Sequence, residues 1–184
     1  MKILLTNFTP SNPLSMRVSI LQQDIVWENL TENLRKVDAA IDSDPGADLY
    51  VLPEMFPTGF CTEPSSVAEP EGGRALEWMK SKAAQTDAAI AGSVAVIENG
   101  KFYNRFYFVK PDGAVTYYDK KHLFTYGGEH ERFTAGDRRI VVEFRGVRIM
   151  LLVCYDLRFP IWSRNHGDYD MILYVASWPT PRVQ

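Results

Sequence analysis

The chain has 184 residues, 46% of them hydrophobic and 23% charged, a globular composition that suits one domain and leaves little room for two. A net charge of −3, with lysines and arginines scattered, gives no electrostatic footprint for nucleic acid or for an acidic membrane surface. Two cysteines, Cys61 and Cys154, are too few for a disulfide framework, and His122, His130 and His166 lack metal-ligand spacing, so no metal or cofactor is expected and a reducing, cytoplasmic setting is the default.

Residues 1–15 are polar and proline-containing and read as a non-core extension, with the domain running over 16–184. The apolar stretch Ile3–Leu5 is far shorter than the ~7–15 residues of a signal-peptide core, and no segment approaches the ~18 apolar residues of a membrane span. Val18-Ser-Ile-Leu-Gln reads as a strand. Leu30, Leu34, Val37 and Ile41 then recur at helical spacing, and Pro45-Gly46 stops that helix. Asp48–Leu52 is a short buried strand, and Thr62–Gly73 reads as loop. Leu76, Met79 and Ala83 mark a second helix that ends near Thr86.

Ala88–Ile97 returns to strand, and two turn dipeptides follow. Asn99-Gly100 and Asp112-Gly113 tolerate the positive backbone angles of tight hairpins, which predicts an antiparallel meander through Phe102–Val109 and Ala114–Tyr118. Ile140–Phe144, Val147–Cys154 and Met171–Ala176 complete the strands, with a short helical piece over Pro160–Asn165. Strand, helix, strand, helix and then several strands is an α/β pattern with helices layered on sheets.

Three chemically active side chains end apolar runs. Glu54 follows Leu52-Pro53, Lys120 follows Tyr117-Tyr118-Asp119, and Cys154 closes Leu151-Leu152-Val153. Singly, each has a plainer reading: a thiol in an apolar strand usually packs, and a carboxylate or ammonium after a strand is usually solvated. Ligands of open α/β sheets bind at the carboxyl ends of strands, so three such ends can converge on one pocket. A thiol needs a base to become a nucleophile at neutral pH, and an acyl-transfer oxyanion needs a donor such as an ammonium or a backbone N–H. Together the three groups are a kit for hydrolysing an amide without metal or cofactor.

The segments Leu52-Pro-Glu-Met-Phe-Pro-Thr-Gly-Phe60, Tyr118-Asp-Lys-Lys-His-Leu-Phe124 and Val153-Cys-Tyr-Asp-Leu-Arg-Phe-Pro160 resemble, in order, the three signature segments of the nitrilase superfamily of carbon–nitrogen hydrolases, and within it the omega-amidase branch. The resemblance implies an α-β-β-α sandwich and an enzyme that cleaves small dicarboxylate monoamides, such as alpha-ketoglutaramate, to a keto acid and ammonia through a cysteine thioester. It implies Glu54 as general base, Lys120 rather than Lys121 as the oxyanion-side lysine, and Cys154 as nucleophile, with the backbone N–H of Tyr155 completing the oxyanion site. Glu129 fits a second, supporting glutamate before the Ala135-Gly136 turn, with Glu131 the other choice.

Phe60, Tyr155 and Trp178 are expected to line the pocket. Arg158 is expected either to meet a substrate carboxylate or to form a buried pair with Asp156. His122 and Cys61 read as structural. Family members usually pair as homodimers or larger homo-oligomers, with further strands and helices after Trp178-Pro179, so the sequence reads as truncated at its C-terminus with the Met171–Ala176 strand left partly uncovered. The alternatives that stay open are an amidase for another small amide and an inactive member serving as a vestigial or interaction domain. A papain-like Cys–His hydrolase would leave the glutamate and lysine segments unexplained.

Overall fold

The computed structural model of the chain describes residues 15–178, so the expected extension over 1–15 lies almost wholly outside the described residues. Strand β1 (Val18–Ile20) leads to helix α1 (Leu30–Asp42) and strand β2 (Leu49–Val51). A two-residue strand β3 (Glu69–Pro70), helix α2 (Arg74–Thr86) and the long strands β4 (Ala89–Glu98), β5 (Lys101–Val109) and β6 (Val115–Asp119) follow. The short helix α3 (Glu129–Arg132), strands β7 (Val141–Phe144) and β8 (Val147–Val153), helix α4 (Pro160–Ser163) and strand β9 (Met171–Val175) complete the described chain.

Helix α1 starts where Asn29 accepts the Glu32 N–H at 3.1 Å, an N-cap that satisfies one of the free donors of the first turn. It buries Leu34, Val37 and Ile41 of the face expected from the spacing, with Leu30 half-buried and Asn33 buried beside them. Helix α2 buries Ala75, Leu76, Met79 and Ala83 and stops at Asp87, whose φ of 49° turns the chain into β4. The helices are fastened to each other by Lys82, which pairs with Asp38 at 2.7 Å, and by Trp78 Nε1, which donates to the same carboxylate at 3.1 Å.

The larger sheet runs β1-β2-β4-β5-β6, with β3 beside β4; β1, β2 and β4 are parallel, and β4, β5 and β6 form the antiparallel meander. Asn99 and Gly100, both at positive φ (51° and 73°), close the two-residue hairpin that pairs Glu98 with Lys101. The smaller sheet is β7-β8-β9, with β8 and β9 parallel.

Alternation along β5 sorts the core into two layers. Tyr107 and Val109 face the helices and join Leu34, Val37, Ile41, Met79 and Ile90. Phe106 and Phe108 face the second sheet and join Leu49, Tyr118, Ile149, Leu151 and Val153. The layers of the described residues are therefore a helix pair, a six-stranded sheet and a three-stranded sheet. Within β9, Leu173 and Val175 are buried, whereas Met171, Ile172 and Tyr174 are half-buried.

One sequence expectation is corrected here. The stretch read as loop over Thr62–Gly73 contains β3, which pairs Glu69 and Pro70 with Val96 and Ile97; two residues carry no alternation for a sequence reading to detect. The Glu129–Arg132 helix also went unread, being a single turn with no apolar period.

Candidate active site

The site lies at the carboxyl ends of β2, β6 and β8, across the seam between the two sheets. After β2 the chain reaches Glu54 and bends sharply at Met55, which has φ 46°. That bend is held by Ser93 of β4, whose Oγ accepts the Met55 N–H at 2.9 Å. Lys120 is the first residue beyond β6. Its N–H donates to the Asn104 carbonyl at 3.0 Å and its own carbonyl accepts from Gly136 N–H at 2.9 Å. Gly136 is required by space: a Cβ there would come within 2.2 Å of the Asp119 carbonyl oxygen.

Cys154 follows β8 directly and adopts φ 42°, a left-handed conformation uncommon for a side-chain-bearing residue and characteristic of strained functional turns. The turn is fixed by Asp156. Its Oδ2 accepts the Val153 N–H at 3.0 Å and the Tyr118 hydroxyl at 2.8 Å, and its Oδ1 accepts the His122 N–H at 2.9 Å and lies 2.7 Å from His122 Nδ1. His122 also stacks on Phe159, with centroids 3.8 Å apart and planes 6° from parallel. The Tyr118 hydroxyl itself accepts from Lys121 N–H (3.0 Å) and Trp162 Nε1 (3.2 Å).

Three ionisable groups meet inside. Lys120 Nζ donates to Glu54 Oε1 at 2.9 Å and to Glu129 Oε2 at 2.8 Å, and all three side chains are fully buried. Glu129 Oε2 also accepts Phe124 N–H at 2.6 Å. Asn104 Nδ2 donates to Glu54 Oε1 at 2.9 Å and to Glu129 Oε1 at 3.1 Å, while Glu54 Oε2 accepts the Ser177 N–H at 3.0 Å. Burial by itself lowers the Lys120 ammonium's hold on its proton, but the two carboxylates outweigh that and keep it well above its ordinary range. The Cys154 thiol is pushed up to about 12, first by burial and then by the negative charge of Glu54, with Lys120 only partly opposing them. The resting side chain is a neutral thiol.

Glu54, Lys120 and Cys154 open together onto a cavity of about 330 Å³ whose walls include Trp27, Phe60, Phe124, Tyr155 and Trp178. Lys120 Nζ stands 5.5 Å from the centroid of the Phe60 ring. Of the two glutamates left open by the sequence, Glu129 points inward and Glu131 is exposed.

Arg158 lies elsewhere. It is exposed, does not line the cavity, and the expected buried pair with Asp156 is not formed: the Asp156 oxygens are taken by Val153, Tyr118 and His122. The tight turn over Cys154–Arg158 has about three residues per turn, which directs residues two apart to different sides. Cys61 is buried and donates to the Glu63 carbonyl at 3.1 Å, outside the cavity lining. Sequence reasoning missed Asn104, the Ser177 N–H, Ile25 and Trp27. Asn104 carried a signal, as the polar residue of β5 on the face of Phe106 and Phe108; the loop residues Ile25 and Trp27 carried none.

Among the described residues, no group of three His, Cys, Asp or Glu side chains is placed to hold a metal ion, and no helix is long and apolar enough to cross a membrane.

Comparison with known proteins places the fold in a family. The chain is 49% identical over 169 residues to Omega-amidase YafV of Escherichia coli (strain K12), covering 91% of the chain and 65% of that protein. It is 36% identical over 172 residues to 2-oxoglutaramate amidase of Bacillus subtilis (strain 168), covering 90% of the chain and 66% of that protein. The chain thus spans about 65% of the length of these relatives. Among solved structures, XC1258 of Xanthomonas campestris, described as a CN-hydrolase superfamily protein with an arsenic adduct in its active site, superposes with a TM-score of 0.87 at 40% identity, over 91% of the chain and 67% of that structure. Residues 17–182 match the carbon-nitrogen hydrolase family, and the chain belongs to it, with the α/β nitrilase fold.

Proposed function

We propose that the chain carries the catalytic apparatus of an omega-amidase: a cysteine hydrolase that releases ammonia from small dicarboxylate monoamides. The observation that carries the reading is the Lys120 ammonium bridging Glu54 and Glu129 beside the Cys154 thiol in one cavity. The substrate class is supported by relatives named as an omega-amidase and a 2-oxoglutaramate amidase.

Because the thiol rests neutral, attack and deprotonation belong to one step. Cys154 Sγ adds to the amide carbonyl carbon while Glu54 takes the thiol proton. Among the described residues, Glu54 Oε1 accepts two donors, Lys120 and Asn104, whereas Oε2 accepts one, so Oε2 is the oxygen with capacity for that proton. The oxyanion is stabilised by Lys120 Nζ and the Tyr155 backbone N–H. Glu54 returns the proton to the departing nitrogen, the carbon–nitrogen bond breaks, and ammonia leaves an acyl thioester on Cys154. A water then gives a proton to Glu54 as it attacks the thioester carbonyl carbon, and Glu54 passes that proton to Cys154 Sγ as the carbon–sulfur bond breaks, which restores the thiol and releases the carboxylic acid. Glu129 takes no proton in this scheme; it holds the lysine and the loop at Phe124.

The free thiols of Cys61 and Cys154 suit a reducing, cytoplasmic setting. The reading is tested by ammonia release from a panel of monoamides. Turnover of dicarboxylate monoamides above simple monocarboxylic amides, abolished by Cys154→Ala, is the expected result; turnover that survives Cys154→Ala overturns it.

A further inference from the structure

We propose that Asn104 is a positioning residue of this site: its side-chain amide, donated at once to Glu54 and Glu129, holds the two carboxylates in register on either side of Lys120 and leaves Glu54 Oε2 as the working oxygen. The inference rests on the thiol-hydrolase reading above.

Two carboxylates and one ammonium leave the buried cluster one positive charge short. A second cation would compete for Glu54, whereas an amide NH₂ supplies two donors and no charge. Asn104 spends both donors this way, at 2.9 Å on Glu54 Oε1 and 3.1 Å on Glu129 Oε1. The amide cannot be turned over, because its oxygen would then face two carboxylates. As it stands, Asn104 Oδ1 takes no partner among the described residues although the residue is fully buried. An unpaired buried acceptor is costly and rare, and it calls for an explanation at the other end of the side chain. The position also disfavours a polar residue on packing grounds, since the same face of β5 continues as Phe106 and Phe108 into the inter-sheet core. The main chain adds a second tie: the Asn104 carbonyl accepts the Lys120 N–H at 3.0 Å, so one residue sets the lysine by its backbone and both glutamates by its side chain. The charged or titratable groups facing Glu54 are Lys120 from the end of β6, Cys154 from the end of β8 and, across the amide, Glu129 from α3.

The test compares the wild-type chain with Asn104→Ala and Asn104→Ser by three readouts: kcat and KM for ammonia release between pH 5 and 9, the rate of Cys154 alkylation by iodoacetamide at pH 8, and the thermal midpoint. Asn104→Ala is expected to lower kcat about 10–100-fold with KM within a few-fold, the scale of a misplaced catalytic group. It is also expected to move the acidic limb of kcat/KM to higher pH, because a carboxylate that loses a donor keeps its proton longer. Alkylation of Cys154 is expected to quicken several-fold, since Glu54, once displaced, opposes thiolate formation less. Asn104→Ser, which keeps one donor, should fall between, and it replaces the alanine variant if that fails to fold. An unchanged acidic limb and an unchanged alkylation rate, with activity lost only in proportion to folded protein, overturn the proposal. Alkylation needs no turnover, so a wild-type chain inactive on every monoamide would sink the amidase reading while the alkylation comparison still decides the role of Asn104.

Discussion

Tyr118 and Asp156, 38 residues apart, share a fully buried hydrogen bond of 2.8 Å that ties the lysine end of β6 to the turn carrying Cys154. Tyr118 is the penultimate residue of β6, two residues before Lys120, and Asp156 lies two residues after Cys154. Their contact therefore sets the spacing between ammonium and thiol. Tyr118→Phe leaves one Asp156 acceptor, the Lys121 N–H and the Trp162 Nε1–H short of a partner. It is expected to cost about 1–3 kcal/mol in denaturant unfolding and to lower kcat more than it raises KM.

The raised thiol makes a pH prediction with a definite sign. A group held protonated up to about 12 yields little thiolate at neutral pH, so the alkylation rate of Cys154 should keep climbing with pH beyond 9 rather than level off. After burial, Glu54 is the leading cause of the rise. Glu54→Gln should consequently make Cys154 alkylate faster at pH 9 while turnover falls by about 10²–10⁴-fold, the usual worth of a general base. Rates of alkylation and ammonia release, measured on the same two proteins, check both halves.

Lys120 is the counter-charge of two buried carboxylates. Lys120→Met leaves both uncompensated and is expected to destabilise the fold by about 3–5 kcal/mol as well as abolish turnover. Lys120→Arg should not restore activity, because a planar fork does not reproduce a point ammonium placed between two oxygens. Chemical unfolding and activity of the two variants provide the check.

Gly136 approaches the Asp119 carbonyl too closely for any side chain. Gly136→Ala must push the loop away from the lysine strand and break the 2.9 Å bond from its N–H to the Lys120 carbonyl. The expected outcome is a lower melting temperature and loss of activity, whereas an alanine at Gly113, where the added Cβ meets nothing within 4 Å, should cost only backbone strain and spare turnover.

Glu54, Lys120 and Cys154 each stand at a strand end, where the packing that buries the strand also delivers the next side chain to the seam between sheets, but position alone favours the plainer reading of each, and the resemblance of the three segments singles them out. The resemblance favours Glu129 over Glu131 by spacing alone, since the phase of a one-turn helix has no period of its own to decide between them. Arg158 was drawn toward Asp156 by proximity in sequence; the turn sends them apart, and the real partners of Asp156 lie at Tyr118 and His122, on another sheet edge. Asn104 leaves one trace in the chain, a polar residue on the aromatic face of β5, and its role emerges once the strand is laid beside Glu54 and Glu129.

The central claim is a covalent acyl group on Cys154, and intact-mass spectrometry of the chain, acid-quenched during incubation with a dicarboxylate monoamide, tests it most directly. The account predicts a mass gain equal to the acyl portion of the substrate, mapped to the peptide bearing Cys154, retained in Cys61→Ala and absent from Cys154→Ala. Ammonia release with no adduct, or an adduct that maps to Cys61, would contradict it.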